Sequence, residues 1–122
     1  MGNPFVYIEL GTKDAKGAKE FYGKLLDWEF GEMDMGGGEK YITINSGQEP
    51  YGGILKLPDP NIPPMWLVYI GVDDVSAKTE EAKKLGATII KEKTEVPDMG
   101  WFSVIMDPTG APIAFWEEMK KK

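Results

Sequence analysis

The sequence contains no cysteine and no histidine. Without cysteine there can be no disulfide, no thiolate ligand and no nucleophilic thiol. Without histidine the commonest general base and the commonest transition-metal ligand are both missing. Cations are also in short supply, 14 Lys and Arg against 20 Asp and Glu for a net charge of −6. A phosphate backbone is neutralised by clustered Lys and Arg, so nucleic acid is not an expected partner. No apolar run approaches the roughly 20 residues of a membrane-spanning helix. The start, MGNPFVYIEL, lacks the basic segment and apolar stretch of a signal peptide. The expectation is therefore a cytoplasmic protein with no membrane association.

What is present suits one folded domain. A chain of 122 residues, 42% hydrophobic and 28% charged, is long enough to bury a core and too short for two independent ones. Slid against itself by 60 positions, the sequence aligns without a gap. Tyr7-Ile8-Glu9-Leu10-Gly11 falls on Leu67-Val68-Tyr69-Ile70-Gly71, Asp14 on Asp74, Lys24-Leu25 on Lys84-Leu85, Tyr41-Ile42-Thr43-Ile44 on Trp101-Phe102-Ser103-Val104, and Ile54-Leu55 on Ala114-Phe115.

Each half reads as a strand, a helix and three strands. Phe5 to Leu10 is a short apolar run ended by Gly11. Asp14 is placed to cap a helix whose apolar residues Ala18, Phe21, Tyr22, Leu25 and Leu26 recur at spacings of three and four, a core-facing stripe. Strands are expected over 28–33, 40–45 and 51–57, with Gly36-Gly37-Gly38 as a hairpin. The second half repeats this with strands over 66–71, 88–93, 101–106 and 112–117 and a helix over 75–85. Module 1 is expected over about 4–57 and module 2 over about 66–118, with an extended proline-rich linker over about 58–65.

Glu20-Phe21-Tyr22-Gly23-Lys24-Leu25-Leu26-Asp27-Trp28 resembles the FYxxLLGW signature after the first helix of the vicinal-oxygen-chelate superfamily, the glyoxalase/bleomycin-resistance/dioxygenase family, with Asp27 where the family has Gly. Asp107-Pro108-Thr109-Gly110 resembles the DPxG turn before its last strand. The resemblance implies an α+β fold of two tandem βαβββ modules forming a curved mixed sheet around a pocket. It implies metal ligands on the first and last strand of each half, which map to Tyr7, Ile54, Leu67 and Ala114. Only Tyr7 has a ligating atom, and a neutral phenol is a poor donor, so no metal and no cofactor are expected.

Glu9 is the sole charge in the first strand, and alternation puts it on the face of Tyr7. It and Tyr7 are the candidate catalytic pair. The carboxylate could act as a general base or as counter-ion to a cationic ligand; equally, it could reach water at the strand end or pair with a lysine. Alternation adds Lys56 to the face of Ile54, Tyr69 to that of Leu67, and Trp116 to that of Ala114, with Trp101 and Ser103 at the mouth. Such aromatics with a few polar groups suit a small organic ligand, unless Tyr69 and Trp116 fill the space themselves. The expected function is binding or sequestration of a small molecule by a homodimer. The alternatives are a lyase or isomerase using Glu9 and Tyr7 or a relocated metal site, and a purely oligomerising or regulatory module.

Overall fold

The computed structural model describes residues 2–34, 40–59 and 61–120. Along them run β1 (Phe5–Thr12), α1 (Ala15–Leu25), β2 (Glu29–Asp34), β3 (Lys40–Asn45), β4 (Tyr51–Lys56), β5 (Met65–Gly71), α2 (Val75–Lys84), β6 (Thr88–Val96), β7 (Gly100–Met106) and β8 (Pro112–Glu118). The α+β class and the doubled βαβββ order are as the sequence implies. The expected Gly36-Gly37-Gly38 hairpin lies outside the described residues.

These elements fall into two compact units, Tyr7–Leu67 and Val68–Lys122 with Met1–Val6. They are called module 1 and module 2 below. The N-terminal residues belong with module 2 because the Asn3 side-chain amide donates to Gly71 O at 3.0 Å and Gly71 N donates to Pro4 O at 2.8 Å. In module 1 the strands lie in the order β2-β3-β4-β1, and in module 2 in the order β5-β8-β7-β6. Within each module the first and last strands pair in parallel and the other pairs are antiparallel.

Both helices begin where the sequence places a cap. The Asp14 carboxylate accepts from Gly17 N at 2.9 Å and that of Asp74 from Ala77 N at 3.1 Å, each satisfying an amide that the helix cannot. The stripe on α1 is less buried than its spacing suggests. Ala15, Ala18 and Tyr22 pack on the core, whereas Phe21 and Leu25 remain 59% and 62% exposed. The contact strip is narrower than the apolar stripe, so residues on its flank face outward. The linker also departs from expectation: Asp59 O accepts from Ile62 N at 3.1 Å and its carboxylate from Asn61 N at 2.9 Å, closing a turn where an extended segment was anticipated.

Candidate functional site

In module 1, Leu10, Ile42, Ile44 and Ile54 are buried as one cluster, with Ala15 and Ala18 of α1 packed against them. Side chains alternate along a strand, so the odd-numbered residues of β1, β3 and β4 occupy the face that α1 does not cover. Register sets Glu9 beside Gly53, Gly53 beside Thr43, and Tyr7 beside Tyr51.

On this face Tyr7 of β1 and Tyr41 of β3 reach toward each other across β4, and their hydroxyl oxygens meet at 2.6 Å. Tyr41 also donates to Glu9 Oε2 at 2.8 Å. The crossing is possible because β4 has a glycine beneath it: a Cβ on Gly53 would run into both hydroxyls. A glycine inside a strand commonly marks such a close approach. Burial pushes the Tyr7 phenol up to about 12, with the negative charge of Glu9 adding to the rise and the Tyr41 hydrogen bond opposing it. Tyr41 is likewise held well above the ordinary tyrosine range, first by burial and then by the charges of Glu9 and Tyr7. Both phenols therefore stay protonated at neutral pH.

Module 2 distributes polarity the other way. Its helix-covered face holds Ser103, fully buried, whose hydroxyl lies 2.8 Å from that of Thr79 on α2. Glu117 accepts from Val75 N at the start of the same helix at 2.9 Å. The opposite face is aromatic. Tyr69 meets Phe102 edge-on at 6.2 Å between ring centroids, and Trp116 pairs with Phe102 and lies over Gly100, where a Cβ would strike its ring.

The structure thus sorts the expected site residues. Tyr7 and Glu9 share the uncovered face of module 1, and Leu67, Tyr69, Ala114 and Trp116 alternate onto the uncovered face of β5 and β8. Ile54 does not share the face of Tyr7, since it pairs with Leu10 and is buried on the α1 side, and Lys56 follows it by alternation. Ser103 lies under α2, and Trp101 shares its face, with the Lys93 ammonium 5.0 Å from the ring centroid. Two irregularities explain these corrections: through the pairings Phe30 corresponds to Ile89, one residue short of the 60-residue offset, and β6 then gains two. From Ile89 to Glu95 β6 advances six residues, while its partner β7 retreats four, from Ile105 to Trp101. The net gain of one residue breaks the gapless 60-residue offset, so that Ile54 corresponds to Phe115, Gly53 to Ala114 and Tyr41 to Phe102. A one-residue shift in a strand exchanges its two faces.

Tyr41 is the participant that the sequence reading missed. Its signal was present: an aromatic with Thr43 on one side of β3, facing the Gly52-Gly53 pair of β4.

The donors do not fit a divalent metal of the kind the fold family uses. The corrected positions Tyr7, Gly53, Leu67 and Ala114 offer one neutral phenol, and Glu9 is the only carboxylate beside it on β1. Among the described residues no group of three His, Cys, Asp or Glu side chains converges. An open surface depression lined by Asp27, Glu29, Asn45 and Gly47 lies elsewhere on module 1.

The sequence signature of the Glyoxalase/Bleomycin resistance protein/Dioxygenase superfamily matches residues 5–115. The chain belongs to this family. It is 32% identical over 106 residues to CFP32 of Mycobacterium tuberculosis, which carries a glyoxylase name; the match spans 87% of this chain and 41% of that protein. It is 25% identical to the anthracycline biosynthesis protein DnrV of Streptomyces peucetius, across 92% of this chain and 46% of the relative. The chain therefore spans less than half the length of these curated relatives. Its fold is shared with the hypothetical protein BH1468 of Bacillus halodurans at a TM-score of 0.74 and 18% identity, covering 100% of this chain and 99% of the other. Methylmalonyl-CoA epimerase from Mycobacterium tuberculosis matches at a TM-score of 0.66 and 14% identity, covering 95% and 88% respectively. Among the described residues no helix is long and apolar enough to cross a membrane.

Proposed function

We propose that this family member binds or sequesters a small organic molecule on the uncovered face of module 1, without a metal. The observation that carries the reading is the Glu9–Tyr41–Tyr7 array, three polar groups converging beside aromatic surface in a part of the sheet that its own helix leaves open. A few fixed polar groups among apolar ones is the usual composition of a small-molecule site. The reading includes a homodimer. Exposed Phe21 and Leu25 provide apolar surface for such pairing. A cytoplasmic location accords with the composition.

The same array favours one alternative, a lyase or isomerase in which Glu9 and Tyr7 exchange a proton with substrate through Tyr41. A relocated metal site is a weaker variant of that reading, because neutral phenols are poor donors.

Native mass spectrometry of protein purified without metal-affinity resin tests the proposal, since it reports subunit number, metal content and retained ligand together. The expected result is a dimer free of stoichiometric transition metal, with organic ligands that bind the wild type and are weakened in Tyr41→Phe. A stoichiometric divalent metal would sink the metal-free reading, and a monomer at high micromolar concentration would remove the dimer.

A further inference from the structure

Two strands are divided between the modules, in opposite senses. β1 begins in module 2, to which Phe5 and Val6 belong, and continues over 7–12 in module 1. β5 begins in module 1 with Met65, Trp66 and Leu67 and continues over 68–71 in module 2. Each module thus contains the start of the strand that opens the other. Both starts are anchored by contacts of their own. In module 2 the Asn3 side-chain amide donates to Gly71 O at 3.0 Å and Gly71 N donates to Pro4 O at 2.8 Å. Gly71 suits that approach, since a Cβ there would come within 3.0 Å of Val6 Cγ1. In module 1 the Trp66 ring meets Tyr22 edge-on at 5.6 Å and Trp28 edge-on at 6.4 Å between centroids, and Tyr22 and Trp28 are themselves stacked at 5.5 Å. Tyr22 and Trp28 pack on the cluster of Leu10, Ile42, Ile44 and Ile54, so two rings tie Trp66 to the core of module 1.

We propose that this reciprocal exchange of strand starts is a conformational device that couples the two modules energetically, so that neither opens without releasing an anchor of the other. Unfolding of module 1 frees Trp66 and with it the start of β5. Unfolding of module 2 frees Asn3, Pro4, Phe5 and Val6 and with them the start of β1. A held start restricts the residues that follow it, and its release returns conformational freedom that the remaining contacts of the strand must then oppose. The coupling matters because each module has only about 60 residues, a size at which an isolated domain is marginal. Two marginal halves become one cooperative unit, although each has buried side chains of its own, Ile54 in one and Val75 in the other.

Native-state hydrogen exchange reads the opening of both modules in one sample. In wild type the slowest amides of β3 and β4 in module 1 should report the same opening equilibrium as those of β7 and β8 in module 2. Trp66→Phe alters the anchor in module 1 while keeping an apolar ring. It should raise that equilibrium about twofold or more, by the same factor in β7 and β8 as in β3 and β4. Asn3→Ala removes a bond of module 2 and should raise it about twofold or more in β3 and β4 as well as in β7 and β8. Combining Asn3→Ala with Trp66→Ala weakens both anchors at once, and the two modules should then open at different equilibria. Faster exchange confined to the substituted module in either single variant overturns the proposal. So does a wild type whose modules already open separately, or the absence of any change in both single variants. A double variant whose modules still open together would show that something other than the divided strands couples them, and overturns it too.

Discussion

The two modules have the same order of elements and opposite distributions of polarity. In module 1 the helix-covered face is aliphatic, built from Leu10, Ile42, Ile44 and Ile54, and the polar groups gather on the other side as Glu9, Tyr41 and Tyr7. In module 2 the polar bonds are under the helix, through Ser103, Thr79 and Glu117, and the other face is filled with Tyr69, Phe102 and Trp116. Both lay an aromatic ring across a strand glycine, Gly53 in one and Gly100 in the other. The duplicated pattern therefore specifies where elements start and which strands pair. It does not specify which face carries chemistry, because a single strand residue more or less reverses that.

The largest test of this contrast is Ile54→Ala. If Ile54 belongs to the aliphatic core of module 1, where it is fully buried, its truncation leaves a cavity and should cost about 2–5 kcal/mol. Urea unfolding would measure it. A loss below about 1 kcal/mol is the size expected of an exposed or pocket-lining residue and would return Ile54 to the face of Tyr7, undoing the corrected correspondence with Phe115.

The fold was legible because its signals are local or periodic. Asp14 and Asp74 sit one turn before an apolar stripe, and both cap their helices through the side chain. Asp107-Pro108-Thr109-Gly110 closes the turn its composition suggests, with the Asp107 carboxylate accepting from Thr109 N at 2.8 Å, Thr109 Oγ1 at 2.7 Å and Ala111 N at 3.1 Å. Those bonds hold its carboxyl below the usual aspartate range. Half of the site was legible in the same way, since Tyr7 and Glu9 are two apart on one strand. Tyr41 was not, because its role depends on β3 and β1 flanking a glycine in β4, a relation between three segments distant in sequence. Trp101 and Ser103 were misplaced by the bulges in β6, whose residues have no composition that distinguishes them from regular strand.

The polar array of module 1 gives the second test, in alkali. A phenol raised in the folded state is protonated there at a pH where the unfolded chain has already lost its proton, so the unfolded state binds fewer protons and stability falls with rising pH. The contribution of Tyr7 is fully present below the unfolded value of about 10 and is lost as pH climbs toward its folded value of about 12. Absorbance titration should show a late-ionising phenol signal that Tyr7→Phe and Tyr41→Phe remove, together with a decline in melting temperature above pH 10. Gly53→Ala should force the two hydroxyls apart, cost about 1–3 kcal/mol through overpacking, and bring the Tyr7 titration back down. A titration in which neither substitution removes a late-ionising signal would deny that the two phenols are buried as one array.

The smallest effect expected is in the buried polar pair of module 2, and it asks whether that pair is a linked unit or two residues that happen to fit. Thr79 Oγ1 lies 2.6 Å from Val75 O, to which it donates, and 2.8 Å from Ser103 Oγ. With the Thr79 proton given to Val75 O, Ser103 must donate to Thr79, so Ser103→Ala removes one donor and leaves no buried hydroxyl proton without an acceptor. The cost should sit near the net value of a single hydrogen bond, about 0.5–1.5 kcal/mol. Thr79→Val removes the acceptor for Ser103 as well as the bond to the helix carbonyl, and should cost more than Ser103→Ala. Combining them should cost less than the sum, by about 0.5 kcal/mol or more, because the second substitution has no bond left to break. Strict additivity in urea unfolding would show that the two hydroxyls do not stabilise one another. The corresponding position in module 1 is Ile42, so Ile42→Ser supplies the control. A hydroxyl introduced among Leu10, Ile44 and Ile54 should destabilise far more than Ser103→Ala, because it both removes apolar volume and buries a polar group among aliphatic neighbours.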